Sequence, residues 1–199
     1  MRHSIVCIGE AMVEVSPEPA FTNAKLGFAG DTFNTAWYLA RLSQGLYDVQ
    51  FASAVGQDVL SDRFVERVEA AGIASDLIIR DPERSMGLYM IHLDHGERSF
   101  SYWRSVSAAR QLATPELLDQ ALASGTILYF SGITLAILDE PGRARLEDCL
   151  SRASGLGKTI VFDTNLRPKL WDSTDTMRET VMRFARCADV ILPSYDDEA

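Results

Sequence analysis

The segment Asp163-Thr164-Asn165-Leu166-Arg167-Pro168 sets a carboxylate, an amide and a guanidinium at alternate positions, directly after the apolar run Thr159 to Phe162. Such a run reads as a buried strand, and the loop after a strand's C-terminal end is where parallel α/β sheets hold their ligands. Polar groups spaced that way contribute little to a fold. To a ligand they offer acceptors, an amide donor and a bidentate cation. Pro168 restricts the backbone at Arg167. A second cluster lies in Leu26-Gly27-Phe28-Ala29-Gly30-Asp31-Thr32-Phe33-Asn34-Thr35-Ala36, a tight glycine loop followed by Asp31 and Asn34 about one helical turn apart. That pair can hold the hydroxyls of a polyhydroxylated ligand. The same residues also suit an ordinary capped helix start. The third cluster is Tyr102-Trp103-Arg104, with Tyr89 upstream. Arg104 can grip a carboxylate while Tyr89 supplies a hydroxyl, or the group can be an amphipathic strand edge with a snorkelling arginine.

Charge narrows the partners. Lys and Arg number 19 against 28 Asp and Glu, a formal net charge of −9. Nucleic acids and anionic membranes are recognised through clustered Lys and Arg, so neither is expected. A small anionic substrate stays open, because it needs only one or two well-placed arginines. Cys7, Cys149 and Cys187 are isolated, and His3, His92 and His95 add no metal-ligand spacing. The cysteines read as core residues in a reducing cytosol. Neither a membrane-length apolar run nor a signal-peptide pattern is present, so a soluble cytoplasmic protein is expected. Two nucleotide-loop look-alikes fail. In Gly155-Leu156-Gly157-Lys158-Thr159 the required first glycine falls at Arg152, and the segment precedes a strand rather than opening a helix. Cys7-Ile8-Gly9-Glu10-Ala11 is not a dinucleotide-binding glycine motif.

The elements that must position these clusters alternate. Strands are expected at Ile5 to Ile8, Ala24 to Phe28, Val49 to Val55, Ile127 to Phe130, Thr159 to Phe162 and Val190 to Leu192. A turn falls at Pro17 and Pro19. Between the strands come a helix capped by Asp31 or Thr32, one from Asp58 to Ala71 ended by Gly72, one opened by Thr114-Pro115-Glu116, and two at Pro141 to Ala153 and Thr174 to Cys187. Leu88 to Leu93 and Arg98 to Trp103 flank Asp94-His95-Gly96-Glu97 and predict a β-hairpin. The pattern is an α/β parallel sheet with a small β appendage, built on one sizeable core of 199 residues.

Taken together, these segments resemble the PfkB (ribokinase-like) carbohydrate kinases. Ala29-Gly30-Asp31-Thr32-Phe33-Asn34 is similar to the family's N-terminal glycine signature, with Ala29 in place of a first glycine. Val55-Gly56-Gln57-Asp58 and Asp163-Thr164-Asn165-Leu166-Arg167-Pro168 match two further motifs. Within the family the likeness is greatest to its 2-keto-3-deoxygluconate kinases, through Gly9-Glu10-Ala11-Met12-Val13-Glu14, Gly96-Glu97-Arg98, Tyr102-Trp103-Arg104, Ser131 to Leu138 and Leu192 to Glu198. The resemblance implies a three-layer α/β/α core with a β-sheet lid from roughly 11–28 and 86–104, C-terminally incomplete. It implies ATP and Mg²⁺ as co-reactants and a small sugar acid, 2-dehydro-3-deoxy-D-gluconate, as the phosphate acceptor. A fructokinase, or a non-catalytic sugar-acid-binding remnant, is the alternative. By position, Gly30, Asp31, Asn34, Tyr89, Tyr102, Arg104, Ile133 and Arg167 would hold the substrate, and Asp163, Asn165 and Arg167 the phosphates. Asp197 and Glu198 would act indirectly on the metal. The catalytic base, an Asp in a late glycine-rich segment, is expected beyond Ala199, so this chain alone should be inactive. A homodimer through the lid is a further expectation.

Overall fold

The computed structural model describes residues 3–18, 22–43, 45–94 and 97–194. Along the chain, β1 (His3–Ile8) opens the core and β2 (Met12–Pro17) and β3 (Ala24–Ala29) leave it. Helix α1 (Asp31–Leu42), β4 (Tyr47–Val55), α2 (Val59–Ala70) and β5 (Ile78–Arg80) return, and β6 (Gly87–Asp94) and β7 (Glu97–Trp103) leave again. The core is completed by α3 (Pro115–Ser124), β8 (Ile127–Ser131), α4 (Gly132–Ile137), α5 (Glu140–Gly155), β9 (Thr159–Asp163), α6 (Thr174–Ala185) and β10 (Val190–Leu192). The core sheet runs β10-β9-β8-β1-β4-β5 with every neighbouring pair parallel. The other sheet, β3-β2-β6-β7, is formed by the stretches expected to make the lid.

Period-two alternation explains the layers. Val6, Ile8, Ala52, Ala54, Leu128, Phe130, Ile160 and Phe162 point to one face, against Leu117, Leu146, Leu150 and Phe184 of α3, α5 and α6. Ile5, Cys7, Val49, Phe51, Val55 and Tyr129 point to the other, against Phe33 and Ala36 of α1 and Phe64 and Val68 of α2. Both faces of a parallel sheet are thereby covered, which is why its strands read as nearly continuous apolar runs. The helix ends follow their expected chemistry. Asp58, Thr114, Asp139 and Ser173 cap α2, α3, α5 and α6, and Gly72 follows α2 at φ +75°. The Gly155 to Thr159 look-alike is a helix-to-strand turn, with Gly157 at φ +69°. Cys7, Cys149 and Cys187 are unpaired thiols. No helix among the described residues is long and apolar enough to cross a membrane.

One expectation needs correction. Helix α1 is capped by neither Asp31 nor Thr32. Gly30 is its N-cap, without a side-chain bond, and Asp31 is already helical. A Cβ on Gly30 would meet the carbonyl oxygen of Glu10, so close packing rather than capping selects this residue. Met12–Pro17 is a strand within the stretch expected to contribute to the lid, and Pro17 ends it beyond the Met12-to-Val15 pairing with β6. Ser131 starts a buried apolar helix, α4, through a reciprocal capping box with Thr134. With apolar residues on every side, α4 has no amphipathic period to reveal it. The hairpin tip at His95 and Gly96 and the Asp197–Glu198 pair lie outside the described residues.

Candidate functional site

The C-terminal ends of β1, β8 and β9 open toward the lid. At the end of β9 the loop turns sharply, with Asn165 at φ 26° and Arg167 at φ 48°. A left-handed Arg167 is not what a following proline favours, so tertiary contacts hold the loop. The Asn165 side-chain amide donates to Asp31 Oδ2 at 2.8 Å, and Trp171 Nε1 donates to the Leu166 carbonyl at 2.8 Å. From below, Tyr129 donates to Asp163 Oδ2 at 3.0 Å and accepts from Thr35 Oγ1 at 3.2 Å. Burial, with the Asp163 carboxylate alongside, pushes the Tyr129 phenol well above its ordinary value, so it remains a donor.

Between this loop and the lid lies a cavity of about 790 Å³, lined by Met12, Arg98, Ser99, Phe100, Tyr102, Arg104, Ile133, Arg167, Pro168, Lys169 and Leu170. Arg98, Phe100 and Tyr102 alternate on β7 and therefore share the lid face that looks inward. Among the described residues of the lining, four are cations and none is an acid. A smaller groove of about 330 Å³ between α3 and α5 carries both signs of charge in its lining, with Arg152 paired to Asp119 at 2.7 Å and to Asp148 at 3.7 Å.

Arg104 reaches the cavity from the end of β7 with its side chain 10% exposed. Its Nη2 contacts Glu10 Oε2, and its buried Nε has no hydrogen-bond partner among the described residues. Ser107 Oγ donates to Glu10 Oε1 at 2.5 Å. Deeper in the lid, Glu14, Tyr89 and Tyr102 form one cross-strand row. The Tyr89 hydroxyl donates to Glu14 Oε2, and burial together with that carboxylate raises the phenol's pKa.

The cavity thus brings together Tyr102, Arg104, Ile133 and Arg167 of the expected set. Gly30, Asp31, Asn34, Tyr89, Asp163 and Asn165 do not line it. Asp31 and Asn165 pair with each other beside it, and Asn34 is exposed on the first turn of α1. Sequence reasoning missed Glu10, Met12, Arg98, Phe100 and Lys169. The alternation of Arg98, Phe100 and Tyr102 was the available signal for two of them.

The sequence pattern of the pfkB family carbohydrate kinases matches residues 2–199. The chain belongs to that family. Its relatives include the 2-dehydro-3-deoxygluconokinases of Dickeya dadantii, 39% identical over 98% of this chain and 64% of that protein, and of Haemophilus influenzae, 38% identical over 98% and 63%. The chain therefore spans just under two thirds of their length. The crystal structure of 2-dehydro-3-deoxygluconokinase from Thermotoga maritima superposes with a TM-score of 0.86 at 25% identity, over 98% of this chain and 60% of that one. A fructokinase from Xylella fastidiosa with bound ATP superposes at 0.83, with 26% identity over 96% and 57%. The three-layer core is that of these pfkB relatives. One pfkB motif has a structural explanation here. In Val55-Gly56-Gln57-Asp58 the aspartate caps α2 through the Leu60 and Ser61 N–H groups, both at 3.0 Å. A Cβ on Gly56 would lie 2.5 Å from Asp58 Oδ2 and 2.6 Å from the Arg84 carbonyl.

Proposed function

We propose that this chain forms the sugar-acid-binding part of an ATP-dependent kinase acting on 2-dehydro-3-deoxy-D-gluconate, with the lid cavity as the substrate site. The observation that carries the reading is the lining: Arg98, Arg104, Arg167 and Lys169, with no carboxylate among them, in a chain of net charge −9. A carboxylate complements this basic wall and a neutral sugar does not, and arginine suits a carboxylate by bidentate geometry. Tyr102 and the Asp31–Asn165 pair supply hydroxyl-binding groups at the rim. This charge pattern favours the acid over fructose, the sugar named in other relatives.

ATP, when bound, supplies the phosphoryl group. The loop of Asp163, Asn165 and Arg167 suits its phosphates, because Arg167 and Lys169 provide positive charge at a strand's C-terminal end. Asn165 is held on Asp31 and Asp163 on Tyr129, so the loop meets both ligands in one shape without reorganising. For Mg²⁺, no group of three His, Cys, Asp or Glu side chains able to hold a metal occurs among the described residues.

Thermal-shift titration tests the reading. A ligand that binds only the folded state raises the melting temperature by mass action. The sugar acid should raise it in a saturable way, and fructose at equal concentration should not. Equal shifts from the two would contradict the assignment to an acid.

A further inference from the structure

Among the described residues four chain segments cross between core and lid, and all four meet at one residue, Glu10, whose carboxylate is buried. Glu10 lies on the first crossing, between β1 and β2, with its side chain 1% exposed. The second crossing passes Gly30, where a Cβ would meet the Glu10 carbonyl oxygen. The third enters β6 at Gly87, where a Cβ would lie 2.9 Å from Glu10 Oε1 and 3.1 Å from Arg104 Cβ. The fourth leaves β7 through Arg104 and Ser107, both of which bond the Glu10 carboxylate. Glu10 does not line the cavity, whereas Arg104 does.

A buried carboxylate bonded at both oxygens has one orientation. It imposes that orientation on whatever it holds. Burial raises the Glu10 carboxyl's pKa, and Arg104 and Ser107 pull against that rise. The Arg104 guanidinium, anchored through Nη2, is left with little freedom in how it meets a ligand.

We infer that Glu10 is the positioning residue that fixes the Arg104 guanidinium on the cavity, so that selectivity for an acid over a neutral sugar depends on a carboxylate the ligand never touches. The inference rests on the reading of the cavity as a sugar-acid site. Removing Glu10 also frees positive charge on Arg104, which attracts an anion. We expect lost orientation to win, because a guanidinium without its anchor turns outward to water.

The test is calorimetric titration of the 199-residue chain with 2-keto-3-deoxygluconate and with a neutral analogue lacking only the carboxylate. Glu10→Ala should weaken acid binding roughly 5- to 50-fold, the range for residues coupled in one charged network, and leave the analogue within about twofold. Glu10→Gln keeps an oxygen for Arg104 and should stay within about threefold of wild type. Added to Arg104→Leu, Glu10→Ala should cause no further loss of acid affinity. A purely structural role predicts equal losses for both ligands in every background, and that result, or undiminished acid binding by Glu10→Ala, overturns the inference. If Glu10→Ala does not fold, Ser107→Ala decides. It keeps all charges and removes one tether, so a selective loss for the acid supports the inference and an unchanged acid-to-analogue ratio overturns it. A wild-type chain that does not prefer the acid, or an Arg104→Leu chain that still does, defeats the parent reading, and the inference falls with it.

Discussion

Asn165 and Arg167 occupy left-handed backbone that costs a non-glycine residue on the order of 1–3 kcal/mol, so their surroundings must hold them there. Gly132, at the start of α4, is one such support. A Cβ on it would meet the Thr164 carbonyl oxygen and lie 3.1 Å from that of Asn165. Gly132→Ala should therefore displace the loop and lower stability by about 1–3 kcal/mol, as overpacking does. Gly155→Ala is the control, because its added methyl meets nothing within 4 Å. Urea denaturation of both variants checks this, and equal stabilities would remove Gly132 from the account. At this scale the loop's place after β9 was legible in sequence, since the polar Asp163, Asn165 and Arg167 follow directly on an apolar strand. Its left-handed turn was not, because Pro168 argues for an extended Arg167. Glu10 was not legible as a hub either. Nothing in Gly9-Glu10-Ala11 shows that three distant segments fold onto it.

Helix α2 shows how much a local cap decides for an element. Burial pushes the Asp58 carboxyl up, but hydrogen bonds from Ser61, Ser85 and the Leu60 N–H outweigh it and hold its pKa below the ordinary value. A lowered folded-state pKa means the stabilisation is present above the ordinary Asp value and is lost as pH falls through the folded one. Asp58→Ala should cost about 1 kcal/mol at about pH 7, the usual worth of such a cap, and less at about pH 2. Urea denaturation at the two pH values measures this, and a difference that persists undiminished in acid would contradict the capping account. The amphipathic helices and the strands of the core sheet announced themselves by period. By contrast β2, α4 and the three-residue β5 did not. The first is a half-buried lid strand, the second is apolar all round, and the third is too short to show alternation.

Over the whole molecule a net charge of −9 would repel an anion, yet four cations line the cavity. Distance decides between them. Surface charges are screened over about 8–10 Å at ordinary ionic strength, whereas groups on the cavity wall act at contact. The cavity exists only between two sheets, with Arg98 and Tyr102 from the lid and Arg167 and Lys169 from the loop after β9. Sequence periodicity describes each sheet separately. It does not show which faces meet, so the four-cation lining emerged only from the fold. The account stands on that lining recognising a carboxylate, and Arg104 is where it is most exposed to disproof. Arg104→Leu removes a charge-assisted hydrogen-bonding partner worth roughly 1.5–3 kcal/mol, equivalent to about a 10- to 150-fold loss of affinity. Isothermal titration of wild type and Arg104→Leu with 2-keto-3-deoxygluconate and its neutral analogue should show that loss for the acid alone, although leaving the buried Glu10 without its cation lowers the melting temperature. Equal losses for the two ligands, or none for the acid, would contradict the assignment of this cavity to a sugar acid.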